Sequence, residues 1–458
     1  MHALEKILAR AAGRASVVPG EMVTAEVDLA EVNDLYLQVL KSFAEMGDGP
    51  VWDPEKVAFV FDHYAPAPTI RSAEIHRQMR EFVWAKGIKH LFDVNAGVCH
   101  QVMPEAGLVW PGMLLVATDS HTTTHGAFGA FGTGVGATDM AAILKTGQIW
   151  LQVPEVIKIE ISGGLAPGVM AKDIVLHILG RLGSDFAVYQ AVEYAGETVE
   201  RLPLAERMVL CNMAVEMGAK TAYIQPNDEV LAYVRERLAR AGRLGEGQGP
   251  RGAQDQPEGA NRLPYLGPPR PAEVADGYGY ARARLEPFFT DPGYDYAAVY
   301  RFDVSSLRPQ VALPHRVDQV TAVREKEGIP IDQAFVGTCT GGRLEDIAVV
   351  ARILAGRRIA PHIRLVITPA SQEVLQKAIA AGYIQQLLDA GATLGTPGCG
   401  PCLGAHGGVL APGERCVTTS SRNFPGRMGS TEAEVYVVSP ATAAWTALRG
   451  RLSSGEEE

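Results

Sequence analysis

Cys399 and Cys402 lie in Pro397-Gly398-Cys399-Gly400-Pro401-Cys402-Leu403-Gly404, and Cys339 stands 60 positions upstream of the first. A tight Gly/Pro turn brings two sulfurs to one centre and frees backbone N–H groups to donate to them, which suits thiolates bound to a cluster. Cys339 falls between an apolar run and the helical pattern Leu344 to Leu354. A helix N-terminus there stabilises a thiolate and the negative charge of a cluster. Three chemistries share this spacing: an iron–sulfur cluster on three thiols, a zinc site that adds His406, and a redox pair on C-x-x-C alone. Unligated structural thiols are the fourth reading. Cys99, Cys211 and Cys416 sit in apolar contexts and read as core.

Histidines and carboxylates form a second constellation: Asp62-His63, His100 and Asp119-Ser120-His121, with His125 nearby. Asp-His neighbours orient an imidazole and raise its basicity, as acid–base catalysis requires. The spacing gives neither a serine-protease order nor an H-E-x-x-H zinc helix. Glu193, in Ala191-Val192-Glu193-Tyr194, is an acid inside an apolar stretch, where burial shifts a pKa; a solvated carboxylate is the alternative. Arg422 and Arg427 flank Asn423-Phe424-Pro425-Gly426. A guanidinium fork matches a carboxylate, so the pair implies a carboxylate-bearing substrate if it faces a crevice, and a solvated surface pair if it does not.

Four apolar runs end abruptly in these reactive groups. Val57 to Phe61 ends in Asp62-His63, Leu114 to Ala117 in Thr118-Asp119-Ser120-His121, Ala334 to Val336 in Gly337-Thr338-Cys339-Thr340, and Cys416 to Thr419 in Ser420-Ser421-Arg422. Each reads as a strand followed by a helical pattern. Ligands of open parallel sheets gather outside the carboxyl ends of the strands, so the repetition is a site signal and the class is α/β. The glycine run Gly126 to Gly136 follows Asp-Ser-His and continues into an expected helix from Ala137 to Leu151 without an acid at the right distance. It therefore fails the context of a dinucleotide loop, and close backbone packing is its expected use.

Composition bounds the rest. A chain of 458 residues is expected to form about three domains. Its 47% hydrophobic and 21% charged residues make an ordinary globular balance and exclude collagen, disorder or coiled coil as the main architecture. The net charge of −10 argues against a nucleic-acid partner, yet a few placed arginines still make a cationic pocket. Met1 to Ser16 has helical spacing and reads as a surface helix, not a signal peptide. No transmembrane run or lipidation motif follows, so the expected setting is cytoplasmic, with no membrane partner. From Ala241 to about Arg284, Gly, Pro, Gln and charged residues crowd out aliphatics, and the segment reads as a surface insertion.

Taken together, these motifs resemble the aconitase superfamily, and most closely the 3-isopropylmalate dehydratase large subunits, with homoaconitase large subunits next. The resemblance rests on Gly97-Val98-Cys99-His100-Gln101, Thr118-Asp119-Ser120-His121-Thr122, Gly337-Thr338-Cys339-Thr340 with Arg343, and the double-cysteine turn. It covers nearly the whole chain outside the insertion. It implies three α/β domains (1–154, 155–305 and 306–458) around a cluster-containing cleft, lacking the fourth, swivelling domain. It also implies one [4Fe–4S] cluster per chain on Cys339, Cys399 and Cys402, with one iron open as a Lewis acid. Asp62, His63, His100, Asp119 and His121 then match acid–base and hydrogen-bonding groups. Glu193 matches the active-site glutamate, and Arg422 and Arg427 match the substrate arginines.

Two departures stand out: Gly341 and Ser421 each occupy a place where the superfamily usually has Asn, and each loses an amide near the site. Ser421 is retained as a substrate-binding candidate. The implied reaction is the dehydration and rehydration that interconverts 2- and 3-isopropylmalate in leucine biosynthesis. Homoaconitase of lysine biosynthesis, or a related malate-type hydro-lyase, is the alternative. A cluster- or zinc-binding regulator without turnover, the alternative from another class, would need none of the His, Asp and Arg sets. After Arg422 the sequence offers only Val435 to Val438, a helix from Ala441 to Leu448 and an acidic tail. The swivelling domain, with its serine base and a further arginine, is therefore expected on a separate small subunit, the two chains forming a heterodimer.

Overall fold

The computed structural model describes residues 1–243 and 287–456, so the expected insertion falls almost entirely outside the described residues. Among these residues the strands assemble into three larger sheets and a two-stranded ribbon. Val57–Val60 and Leu114–Ala117 are buried at every position, as befits strands covered on both faces by helices.

The first sheet is fully parallel. Its central strand, Leu29–Asn33, is flanked by Val57–Val60 and then His90–Phe92 on one side, and by Leu114–Ala117 and then Phe131–Gly134 on the other. Strand order reverses at the centre, so the loops after Asn33, Val60 and Ala117 open one crevice. A second parallel sheet carries Thr221–Tyr223, Ala191–Ala195, Val156–Ser162 and Ala298–Asp303 in that order. The third has seven strands. Its parallel part runs Glu434–Val438, Arg415–Thr418, Gln333–Gly337, Arg364–Thr368 and Thr393–Leu394, with an antiparallel edge formed by Gln310–Ala312 and Val320–Ala322. Here order reverses at Gln333–Gly337, which directs the loops after Gly337 and Thr418 into a second crevice.

The two crevices face each other. Val98 N donates to Ala370 O at 2.8 Å and Cys399 N to Asp62 O at 2.9 Å, joining the first and third sheets across the cleft. One core holds a face of the first sheet together with the second sheet and reaches Cys399. A separate core fills the far side of the third sheet.

Three expectations meet this architecture differently. The glycine run does pack backbone on backbone: a Cβ on Gly126 would lie 2.0 Å from Ala222 O, and one on Gly132 would lie 2.2 Å from Thr122 O. The helix expected from Ala137 to Leu151 stops at Thr146, because Gly147 caps it in the left-handed conformation. The alternating strand Gln148–Gln152 then pairs with Met22–Glu26. The N-terminal helix is Ala3–Ala11 and is mostly buried rather than superficial. Leu4, Ile7 and Leu8 enter the core of the first sheet, where Phe288, Tyr294 and Tyr296 also pack. No helix among the described residues is long and apolar enough to cross a membrane.

Candidate active site

Three strand ends of the first sheet supply acids and imidazoles. Asp34, just past Leu29–Asn33, accepts the N–H groups of His63 (3.1 Å) and Tyr64 (2.8 Å) and meets His76 Nε2 at 3.0 Å. His63 Nδ1 is 2.6 Å from Asp62 Oδ1, while Asp62 Oδ2 accepts Cys99 N–H at 2.8 Å. Asp119 Oδ1 accepts His121 N–H at 2.7 Å and lies 3.1 Å from His100 Nε2; Asp119 Oδ2 is 3.5 Å from His63 Nε2. Burial alone would lower the pKa of His63, but Asp62, Cys399, Asp119 and Asp34 outweigh it and hold the imidazole well above its usual range. Burial alone would raise Asp119, and bonds from His100, His121 and His63 instead hold it well below. Both shifts favour the charged forms, a protonated His63 beside an ionised Asp119.

From the third sheet come the sulfurs and the arginines. Cys339 leaves Gln333–Gly337 through Thr338, whose φ of +69° is a strained conformation for a β-branched residue. Its sulfur accepts from Asn212 Nδ2 at 3.2 Å. Cys399 brings Sγ within 4.8 Å of ligand atoms of Asp62 and His63. Cys402 Sγ accepts from Arg427 Nη2 at 3.3 Å. After Arg415–Thr418, Ser421 Oγ lies 2.9 Å from His121 Nε2. Arg422 Nε donates to both oxygens of Glu216, at 2.8 and 3.1 Å, and its Nη2 donates to Ser120 Oγ at 3.1 Å. Glu216 also accepts from His121 Nε2 at 2.9 Å. Burial would raise the Glu216 carboxyl, yet His121 and Arg422 hold it below its usual value.

Eleven of the twelve sequence candidates are thereby gathered; Glu193 is not. Its strand, Ala191–Ala195, points the carboxylate at His2 Nε2 (2.5 Å) and Tyr296 OH (3.0 Å), beside the N-terminal helix. The acid that stands in the site is Glu216, on the short 3-10 turn Ala214–Met217. Asp34 and Asn212, and Lys172, whose Nζ donates to Thr419 O at 2.8 Å beside these groups, were also missed. Asn212 and Glu216 are polar residues four apart in the apolar stretch Leu210 to Met217, and that interruption was the available signal.

The two departures have local causes. A Cβ on Gly341 would lie 2.2 Å from Thr419 Oγ1, so Thr419 fills the space a larger side chain at 341 would need. Thr419 Oγ1 is spent on Gly337, accepting its N–H at 3.0 Å. Ser421, in place of an amide, still bonds His121.

This chain matches the family described as Aconitase family (aconitate hydratase) over residues 22–248 and 261–450. The chain belongs to the aconitase family. It is 46% identical over 450 residues to the 3-isopropylmalate dehydratase large subunit 1 of Methanopyrus kandleri, covering 98% of this chain and 97% of that one. To the probable methanogen homoaconitase large subunit of Methanothermobacter thermautotrophicus it is 44% identical, covering 100% of this chain and 98% of the other. Among solved structures, aconitase X of Thermococcus kodakaraensis aligns over 94% of each chain at 14% identity, with a TM-score of 0.48. The α/β sheets described above are the family's fold in this chain.

An anionic cluster suits the donor set. All six cysteines are free. Cys402 lies near both of the others: after burial it raises the pKa of Cys339, and it adds a smaller rise to Cys399, where burial and Asp62 raise the thiol against His63. Cations surround them. Arg343 is buried with Nη1 and Nη2 unpartnered, and Arg427 Nε is likewise unpartnered. Buried guanidinium nitrogens of this kind call for negative charge nearby, which a cluster held by the three cysteines would supply. The group of metal-binding side chains found among the described residues is Asp62, His63 and Cys399; His406, which a zinc site would add, is not in it.

Proposed function

We propose that this chain is the cluster-bearing large subunit of a hydro-lyase that interconverts 2- and 3-isopropylmalate by dehydration and rehydration. The observation that carries this reading is one cleft that holds Cys399 beside Asp62 and His63, Cys402 beside Arg427, and the Arg422 fork anchored on Glu216. The identity to a dehydratase large subunit supports the branched malate as substrate. The nearly equal identity to a homoaconitase large subunit favours a tricarboxylic malate as second reading. Three domains, each built on one larger sheet and divided near residues 154 and 305, complete the proposal. We place the reaction in the cytoplasm, where free thiols persist.

A [4Fe–4S] cluster held by Cys339, Cys399 and Cys402 would supply a Lewis-acidic iron for the departing hydroxyl and one carboxylate. His63, held between Asp62 and Asp119, keeps a proton on Nε2 for that hydroxyl and takes it back on rehydration. His100 and His121 fix the Asp119 carboxylate that maintains this charge state. Glu216 and Ser120 set the plane of the Arg422 guanidinium, which binds a substrate carboxylate. The base that removes the proton next to the carboxylate is assigned to a small-subunit partner, in keeping with relatives that are themselves named large subunits.

The test is to purify the chain without oxygen, alone and with a co-expressed small subunit, and to assay isopropylmalate and homocitrate in parallel. Turnover of isopropylmalate only in the two-chain preparation is expected. Fast turnover by the chain alone would overturn the subunit assignment, and preference for homocitrate would replace the substrate.

A further inference from the structure

Lys172 is the second residue of the helix Ala171–Leu182, which belongs to the second sheet's unit. Its side chain is almost entirely buried, an expensive place for an ammonium unless it is well bonded. Nζ donates to Thr419 O at 2.8 Å and to Ser420 O at 3.1 Å, both on the third sheet's unit. The next two residues are Ser421 and Arg422, which meet His121 and Glu216. Thr419 O also accepts from Thr340 Oγ1 at 2.7 Å, and Thr340 directly follows Cys339. One ammonium is therefore bonded to the turn that delivers the substrate arginine and, through a shared carbonyl, to the turn that delivers a thiol.

The base of the strut is itself fixed. Neighbouring Asp173 accepts Gln310 N–H at 2.8 Å and Met170 N–H at 2.8 Å, pinning the first turn of the helix against the edge of the third sheet. Such a lysine does more than fill space, because two of its donors are used on adjacent carbonyls whose directions set the following two side chains. Misplacing a binding group by about 1 Å costs up to about a hundredfold in rate.

We infer that Lys172 is a positioning residue: its ammonium holds the Thr419-Ser420 turn so that Ser421 and Arg422 meet His121 and Glu216, and steadies the Cys339 loop by the same clamp. The consequence for catalysis rests on the hydro-lyase reading above; the consequence for Cys339 does not. Removing the ammonium while keeping an unbranched apolar stem should raise KM, through Arg422, more than it lowers kcat. It should also loosen Cys339.

The experiment compares wild type, K172M and K172R as full chains with the small subunit. KM and kcat are measured for isopropylmalate, and alkylation of Cys339 by iodoacetamide is followed by mass spectrometry on the chain as purified. K172M is expected to raise KM about tenfold and to speed alkylation several-fold, with K172R within about threefold of wild type in both. Wild-type KM and alkylation in K172M would overturn the inference, and so would K172R as impaired as K172M, since volume and not donation would then matter. If K172M does not fold, K172R decides alone by the same threefold criterion. If the wild type turns over no malate, the hydro-lyase reading fails, and Lys172 is judged on alkylation.

Discussion

Glu216→Gln is the sharpest test of the site, because it changes one atom type at a residue the sequence reading passed over. The Glu216 carboxylate accepts two bonds from Arg422 Nε and one from His121 Nε2, and its side chain is only 8% exposed. Glutamine keeps the shape but offers one acceptor oxygen and an NH2 that must face a donor. Hydrogen bonds to charged groups contribute about 1.5–3 kcal/mol each, and leaving a buried donor unmatched adds to the loss. Arg422 is 25% exposed, so water recovers part of it, and a net cost of about 2–3 kcal/mol is reasonable. That corresponds to a fall of about 30- to 150-fold in kcat/KM at 1.36 kcal/mol per tenfold. Glu193→Gln is the matched control, since it disturbs His2 and Tyr296 away from the cleft. It should lower the melting temperature and leave kcat/KM near wild type. Steady-state kinetics with thermal melts on both variants decide the matter. Full activity in Glu216→Gln, with a large loss in Glu193→Gln at unchanged iron content, would refute the assignment.

Cys339→Ser should abolish activity and lower iron and acid-labile sulfide together, because two thiolates from one turn hold a cluster poorly. Zinc without sulfide in active wild-type protein would contradict that. Arg422→Lys keeps the charge and loses the fork, so KM should rise while cluster content holds; unchanged kinetics across a saturating series would remove Arg422 from the carboxylate. Arg237 and Glu373 join helices Asp228–Arg240 and Gln372–Ala380. Burial would raise Glu373, but Arg237 and Lys377 overcome it and hold the carboxyl at about 2. A folded pKa below the unfolded one stabilises fully above the unfolded value and is lost as pH falls through the folded one. Arg237→Met should therefore cost most near about pH 6 and progressively less toward about pH 3, read by denaturant midpoints; a constant gap would rule out this linkage.

How much of this the sequence carried depends on the kind of signal. Leu114 to Ala117 and Leu344 to Leu354 are observed with the expected bounds, since an aliphatic run that stops at Thr-Asp or opens with an acid at the first turn leaves little choice. The strand ends delivered Asp62, His63, Asp119, Cys339, Ser421 and Arg422, because parallel sheets put their loops on one side. Glu193 misled for a physical reason. An acid flanked by apolar residues in a strand can be satisfied by any buried partner, and here His2, from 191 positions away, satisfies it. Nothing local announces that contact. The strand after Gly147 was obscured because Gln148–Gln152 has few residues in which to show a period of two.

Local charge is where the sequence total was least informative. The chain is net negative by 10, yet Lys172, Arg343, Arg422 and Arg427 surround the cleft that holds the thiols. Each has its own partner: Lys172, on a helix of the second sheet's unit, bonds the Thr419 and Ser420 carbonyls, Arg343 bonds Gln101 by its Nε at 3.0 Å, Arg422 bonds Glu216, and Arg427 bonds Cys402. Cations on separate elements repel one another unless negative charge is shared between them. Ionised thiolates, or a carboxylate substrate, would provide that charge at the point where the elements converge. Ligand binding at that point would then offset the repulsion between Lys172 and the three arginines, so loading of the cluster would stabilise the fold by linkage.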